Sequence, residues 1–140
     1  MKYSIVMPVY KRLDVINNCL KSIASQELKP FEVIIVDNNI DNIESKNLNL
    51  RIKDFAKKTN ITTNILKSPK NSGAIARNIG AEFAKGDFVA FLDSDVILDN
   101  NYYKILSSYF LKNEKLIGIQ GLDKSLIEYQ KSLAKKRFYK

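Results

Sequence analysis

Short apolar runs that stop on a proline or a carboxylate, with stretches of helical spacing between them, constrain this chain more than any other feature. Ser4-Ile5-Val6-Met7 reads as a first strand stopped by Pro8, and Phe31 to Val36 as a second that ends at Asp37. Ile61 to Leu66 is a weaker third strand, Phe88 to Leu92 a fourth, and Leu116 to Ile119 a fifth, closed by Gly121. Between the first two, Leu13, Ile16, Leu20 and Ile23 fall at helical spacing behind Asp14 as an N-cap. The polar stretch Asn38 to Asn49 reads as a loop leading to a helix near Leu50 to Lys58. Ser68 to Gly73 is rich in turn residues, and Ala74 to Ala84 has helical composition. Asp99 or Asn100 caps a helix running to about Lys112, and a last helix runs from Lys124 through Leu126, Ile127, Tyr129 and Leu133. Strands alternating with helices predict an α/β fold: a mostly parallel sheet with helices on both faces.

Residues 1–140 fit one domain, without repeat or linker, and 45% hydrophobic residues exclude a disordered chain. The chain has no histidine, which removes Ser-His-Asp and Cys-His catalysis and argues against catalytic zinc. Its single cysteine, Cys19, sits among Ile16, Leu20 and Ile23 and reads as a buried residue rather than a nucleophile. A net charge of +8 suits an anionic partner such as a nucleotide diphosphate or a membrane surface. The lysines are scattered with no aromatic-interleaved basic stripe, which argues against nucleic acid. Met1-Lys2-Tyr3 leads straight into the first strand, leaving no room for a signal peptide, and no run approaches the ~20 apolar residues of a membrane span. A cytoplasmic chain is expected.

Ligands of open α/β sheets sit beyond the carboxyl ends of the strands. The fourth strand ends in Asp93-Ser94-Asp95, and alternate residues of an extended segment face one side. Both carboxylates can then meet on one Mg²⁺ or Mn²⁺, with phosphates completing its shell. Alone, the pair reads equally well as an Asp-rich turn. At the first strand end, Tyr10 can stack on a base while backbone at Pro8 and Val9 reads its edge, or it simply covers the sheet. Asp37 can accept from a base N–H or a ribose hydroxyl, or cap a turn. Asn71 or Ser72 can cap the next helix, Gly73 lets its backbone approach a ligand, and a helix N-terminus favours negative charge. Arg77, one turn in, can reach a phosphate or base, or face solvent. Gly80 inside a helix costs ~1 kcal/mol against alanine, which points to close packing.

Taken in order, Pro8-Val9-Tyr10, Val36-Asp37-Asn38, Asn71-Ser72-Gly73, Arg77-Asn78-Ile79-Gly80, Gly86-Asp87 and Leu92-Asp93-Ser94-Asp95 make the chain resemble family 2 glycosyltransferases of the GT-A (Rossmann-like) fold. The resemblance runs from Ser4 to Gly121. It implies that Pro8, Val9 and Tyr10 contact the nucleoside, Asp37 the base, and Arg77 the nucleotide. Asn71, Gly73 and Ser94 complete the nucleotide set. Asp93 would meet ribose or metal, and Asp95 would ligate the Mn²⁺ or Mg²⁺ that bridges the diphosphate. Family members commonly carry Asp where this chain has Asn38, before Asn39-Ile40. The implied reaction is inverting transfer from a nucleotide-diphosphate sugar, a UDP-sugar first, to a hydroxyl of a glycan or lipid-linked acceptor.

The resemblance puts the general base and acceptor site in a C-terminal half. Asp123 and Glu128 are the only carboxylates past the fifth strand, so no base is identified and the chain reads as the donor-binding half, its sheet cut after about five strands. Lys135 to Lys140 could touch the inner face of a membrane, though a helix that simply stops is the plainer reading. Two rivals stand beside this one. A haloacid dehalogenase-type phosphatase also places Asp-x-Asp after an apolar strand, but near the start of its chain. A non-catalytic sugar-nucleotide-binding or scaffolding module would keep the fold without transfer.

Overall fold

The structure, a computed structural model, describes residues 1–122 and 124. The chain divides into two compact units, Met1–Ser107 and Ser108 onwards. The first holds β1 (Tyr3–Val9), α1 (Ile16–Ala24), β2 (Glu32–Asp37), α2 (Asn42–Thr59), β3 (Thr63–Lys67), α3 (Gly73–Phe83) and β4 (Phe88–Phe91). Helix α4 (Tyr102–Lys112) follows. The four strands form one parallel sheet in the order β3-β2-β1-β4. This is the α/β fold expected, with helices on both faces.

The period-2 alternation of β1 divides the core. Tyr3, Ile5, Met7 and Val9 face one side, where they join Ile16, Cys19, Leu20 and Ile23 of α1 and Leu48, Ile52 and Phe55 of α2. Val6 faces the other side with Ile34, Val36 and Ala76 of α3. Close approach of α3 requires Gly80: a Cβ there would lie 2.3 Å from Val6 Cγ1. The packing expected from a glycine inside that helix is present. All six residues of β2 are buried, including Glu32. Its Oε1 accepts from Ser4 Oγ (2.8 Å) and Lys85 N (2.8 Å), and its Oε2 from Asn64 Nδ2 (3.1 Å).

Several boundaries differ from those read in the sequence. Strand β1 runs through Pro8 to Val9 rather than stopping at the proline. Val6 O accepts from Leu92 N, so Val6 and, by alternation, Pro8 turn their backbone toward β4. The β4 ladder ends at Phe91 opposite Val6, so the missing Pro8 donor has no strand to pair with. Asp14 does not cap α1: Val15 holds that place and no side chain accepts there. Helix α2 starts at Asn42, inside the expected loop, with Asp41 Oδ1 accepting from Ile43 N at 2.6 Å. Its buried stripe is only Leu48, Ile52 and Phe55, too narrow to show through the polar residues around it.

The expected fifth strand is absent. Leu116 to Ile119 is irregular, with Ile117 fully exposed, and the sheet has four strands among the described residues. An apolar run becomes a strand only when a neighbour accepts its backbone hydrogen bonds. Of the expected last helix, all but Lys124 lies outside the described residues. None of the described helices is long and apolar enough to cross a membrane.

Candidate functional site

Chain order fixes where a ligand can sit. From β1 the chain adds β2 and β3 on one side and then returns to place β4 on the other. The connections therefore diverge between β1 and β4, and the crevice beyond those two strand ends is the binding position of such sheets. Asp93 and Asp95 stand there. Leu92 N makes a 3.0 Å bond to Val6 O, and the chain then turns, with Val96 N bonding to Asp93 O at 3.2 Å. Both carboxylates are largely open to solvent, with side chains 60% and 46% exposed. Each is met by a guanidinium. Arg77 Nη2 lies 2.5 Å from Asp93 Oδ1, and Arg12 Nη1 lies 3.2 Å from Asp95 Oδ2.

The end of β2 is built differently. Asp37 is buried, and its Oδ1 accepts from Asn39 N (2.9 Å) and Asn39 Nδ2 (2.8 Å). Its Oδ2 takes the Lys67 ammonium at 2.9 Å. Burial pushes this carboxyl's pKa up, but the polar groups of Ser45, Lys67 and Asn39 outweigh burial and hold it below the usual carboxylate range. Lys67 also donates to Ser45 Oγ at 2.7 Å and to Asn39 O. Asn39 Oδ1 in turn accepts from Lys11 N at 2.5 Å, tying the loop after β2 to the loop after β1. Beside it Asn38 is 4% exposed, and its Oδ1 is buried without a partner.

The sequence and the fold have relatives among proteins of known class. The family model for glycosyl transferase family 2 matches residues 4–137. The chain belongs to that family. It is 35% identical over 131 residues to the poly(ribitol-phosphate) beta-glucosyltransferase of Bacillus spizizenii, covering 86% of this chain and 20% of that one. It is 33% identical to an uncharacterized glycosyltransferase of Haemophilus influenzae, covering 79% of this chain and 42% of the relative. Residues 1–349 of Staphylococcus aureus TarS in complex with UDP superpose with a TM-score of 0.67 at 26% identity, covering 89% of this chain and 39% of that one. The chain thus spans well under half the length of these relatives.

Within this family 2 chain, the expected residues separate into two groups. Arg77, Asp93 and Asp95 stand together at the crevice. Ser94, between the carboxylates, is buried. Gly73 opens α3 behind Ser72, whose Oγ accepts from Ile75 N at 3.4 Å, so Ser72 rather than Asn71 is the cap. A Cβ on Gly73 would lie 3.2 Å from Arg77 Nη1, so this glycine leaves room for the guanidinium. Asn71 is exposed on the approach to that helix. The second group gathers at β1 and β2. Val9 is buried, Pro8 is partly covered, and Tyr10 is 40% exposed with Lys11 Nζ 5.5 Å from its ring centre. Tyr10, Lys11, Asn39, Ile40, Asp41 and Glu44 line a concavity of about 360 Å³. Asp37 lies buried beneath the loops and engages no open space through its carboxylate as it stands.

Three residues that the sequence reading passed over carry this geometry: Arg12, Asn39 and Lys67. Lys67 was within reach of the sequence, because it faces Asp37 directly in the β2–β3 ladder. Arg12 gave no local sign, since Asp95 is 83 residues away. The carboxylate pair fits a hard divalent cation. Each carboxylate keeps one oxygen that its arginine does not engage, and two carboxylates with phosphate and water suit Mg²⁺ or Mn²⁺. Among the described residues no three His, Cys, Asp or Glu side chains gather into an all-protein metal cage.

Proposed function

We propose that this chain binds a nucleotide-diphosphate sugar, a UDP-sugar first, across the β1–β4 crevice and supplies the donor half of an inverting, metal-dependent glycosyl transfer. The observation that carries this reading is the position of Asp93 and Asp95, at the switch point of a parallel sheet with two guanidiniums beside them. Asp93 and Asp95 would hold Mn²⁺ or Mg²⁺. That cation would offset the charge that grows on the diphosphate as the sugar bond breaks. Arg77, one turn into α3, would add a cation on the phosphate side, beside the first backbone N–H groups of that helix. Tyr10 would stack on the base, with Pro8 and Val9 backbone beside it and Asp37, once Asn39 or Lys67 yields, accepting from the base. Asn71, Gly73 and Ser94 would complete the nucleotide contacts.

The UDP complex of TarS and the name of the Bacillus relative support a UDP-sugar donor and a hydroxyl-bearing glycan or lipid-linked acceptor. No general base is assigned; Asp123 and Glu128 lie outside the described residues. Residues 1–140 would act as one nucleotide-sugar-binding domain on the cytoplasmic side, where the donor nucleotide is met. Calorimetric titration of UDP and GDP, each with and without Mn²⁺, tests the reading. Mn²⁺-dependent binding of UDP, weakened at least ~10-fold by Asp95→Ala, is the expected result. A folded chain that binds neither nucleotide would refute it. Binding without turnover in the presence of acceptor would favour the module that keeps the donor site alone.

A further inference from the structure

Arg12 occupies a place that its own backbone does not favour. It and Lys11 both have left-handed φ values, 55° and 54°, which side chains other than glycine adopt only when their surroundings hold them. The hold is visible. Lys11 N donates to Asn39 Oδ1, and Asn39 is itself fixed on Asp37 by two hydrogen bonds. Arg12 O accepts from Val15 N (3.3 Å) and Ile16 N (3.2 Å), which seats the start of α1. A turn so fixed sends the Arg12 guanidinium across the crevice to Asp95. The pair itself is loose, because the two side chains are 61% and 46% exposed and 3.2 Å apart. Its backbone is pinned while its charged end is free to change partners.

Charge then raises a conflict. Asp93 and Asp95 are the carboxylates offered to a cation, and both already face guanidiniums. A dication arriving alone meets a pair whose charge is locally neutralised. A dication arriving with a diphosphate brings negative oxygens that can take the displaced guanidinium. We propose that Arg12 is an exchangeable counter-ion: it holds Asp95 while the crevice is empty and passes to the diphosphate when a divalent cation takes Asp95. Metal and nucleotide binding are then mutually dependent, each strengthening the other by the same factor. This inference rests on the nucleotide-sugar reading above and adds to it a residue that the sequence pattern did not mark.

The test compares the wild-type chain with Arg12→Gly, which accepts the left-handed backbone and removes the side chain with its guanidinium. Mn²⁺ binding is read by the paramagnetic resonance signal of the free ion, and UDP binding by calorimetry. Wild-type chain that binds UDP with Mn²⁺ establishes the donor site independently; failure there overturns that reading and this one with it. Given that binding, Arg12→Gly is expected to bind Mn²⁺ alone about two- to fivefold more tightly, the value of an exposed ion pair. It is expected to bind UDP in the presence of Mn²⁺ about tenfold more weakly, the value of one charge-assisted phosphate contact. Arg12→Lys, which keeps a charge, should fall between the two on both measures. Unchanged Mn²⁺ affinity, or unchanged UDP affinity, would overturn the exchange while leaving the donor site in place. Should Arg12→Gly lose its fold, judged by circular dichroism, Arg12→Gln carries the same two readouts.

Discussion

Gly80→Ala sets helix propensity against packing, and the structure decides which wins. Alanine is favoured over glycine inside a helix by ~1 kcal/mol, so an exposed site would gain stability. At position 80 the new Cβ would sit 2.3 Å from Val6 Cγ1 and 3.2 Å from both Val6 Cγ2 and Val36 Cγ2. An ordinary carbon contact begins near ~3.5 Å, so the shortfall is about 1 Å. Turning Val6 about χ1 brings little relief, because its second methyl is also close and a β-branched residue has few rotamers. The helix must therefore retreat from the sheet. Overpacking of this kind costs about 1–3 kcal/mol, and a shortfall this large belongs at the upper end. After the propensity gain, a net loss of about 2 kcal/mol is expected, which at a urea dependence of ~2 kcal/mol/M lowers the unfolding midpoint by about 1 M. Val6→Ala opens the space that the new methyl needs. The double variant should then be more stable than the sum of the two losses by at least ~1 kcal/mol. An unchanged or raised midpoint for Gly80→Ala alone would refute the packing argument. Arg77 rides on the same helix, so the retreat should also loosen its 2.5 Å contact with Asp93.

Other expectations follow from single contacts. Lys67→Met leaves the Asp37 carboxylate buried with Asn39 and Ser45 but no cation beside it, and about 2 kcal/mol should be lost, less than for a fully buried pair because Lys67 is half-exposed. The pKa of Asp37 is lowered in the folded chain, so it adds stability above its ordinary value of ~3.9, and that part is lost as pH falls through the lower folded value. In Lys67→Met burial acts with less opposition and the folded value rises toward or past the ordinary one, so urea midpoints measured from pH 7 to pH 3 should fall less than in wild type. Cys19 is fully buried, and burial first, then the Asp95 and Asp93 carboxylates, push its thiol up to about 12. A disulfide reagent at pH 8 should therefore label it at least ~10³-fold more slowly than the urea-unfolded chain; rapid stoichiometric labelling would contradict that burial. Glu32→Ala leaves Ser4, Asn64 and the Lys85 amide without their acceptor, and a loss of about 2–4 kcal/mol should show in the same unfolding assay.

The fold was legible where apolar runs stand out from the polar connections: β1 and β2 at the buried centre of the sheet, and β4 at its half-exposed edge. The proline at position 8 misled because its effect depends on what lies beside it, and the strand that would need its donor ends before reaching it. Helix α2 was half hidden because an amphipathic helix over an already crowded face shows only three buried side chains in eighteen residues. Leu116 to Ile119 shows the converse. Its apolar residues read as a strand, yet strand formation depends on a neighbour that the run itself does not specify.

The site followed a different rule. Residues whose roles come from their own element were readable: Asp93 and Asp95 after a short apolar strand, and Ser72 and Arg77 in the first turns of a helix. What the sequence could not show was their partners. Arg12 meets Asp95 across 83 residues, Lys67 meets Asp37 across 30, and the Asn39 bond to the Lys11 amide spans 28. Each of these contacts depends on strand pairing: the first on β4 beside β1, the second on β3 in register beside β2, and the third on β2 beside β1. The same closure gives the empty site its electrostatic character. The fold sets the two carboxylates a metal would need against guanidiniums, and covers the carboxylate a base would need with an ammonium and an amide. A site so arranged is stable without ligand because its charges are already matched. Any ligand that enters must replace those matches, so a metal ion together with a diphosphate should succeed where either alone binds weakly.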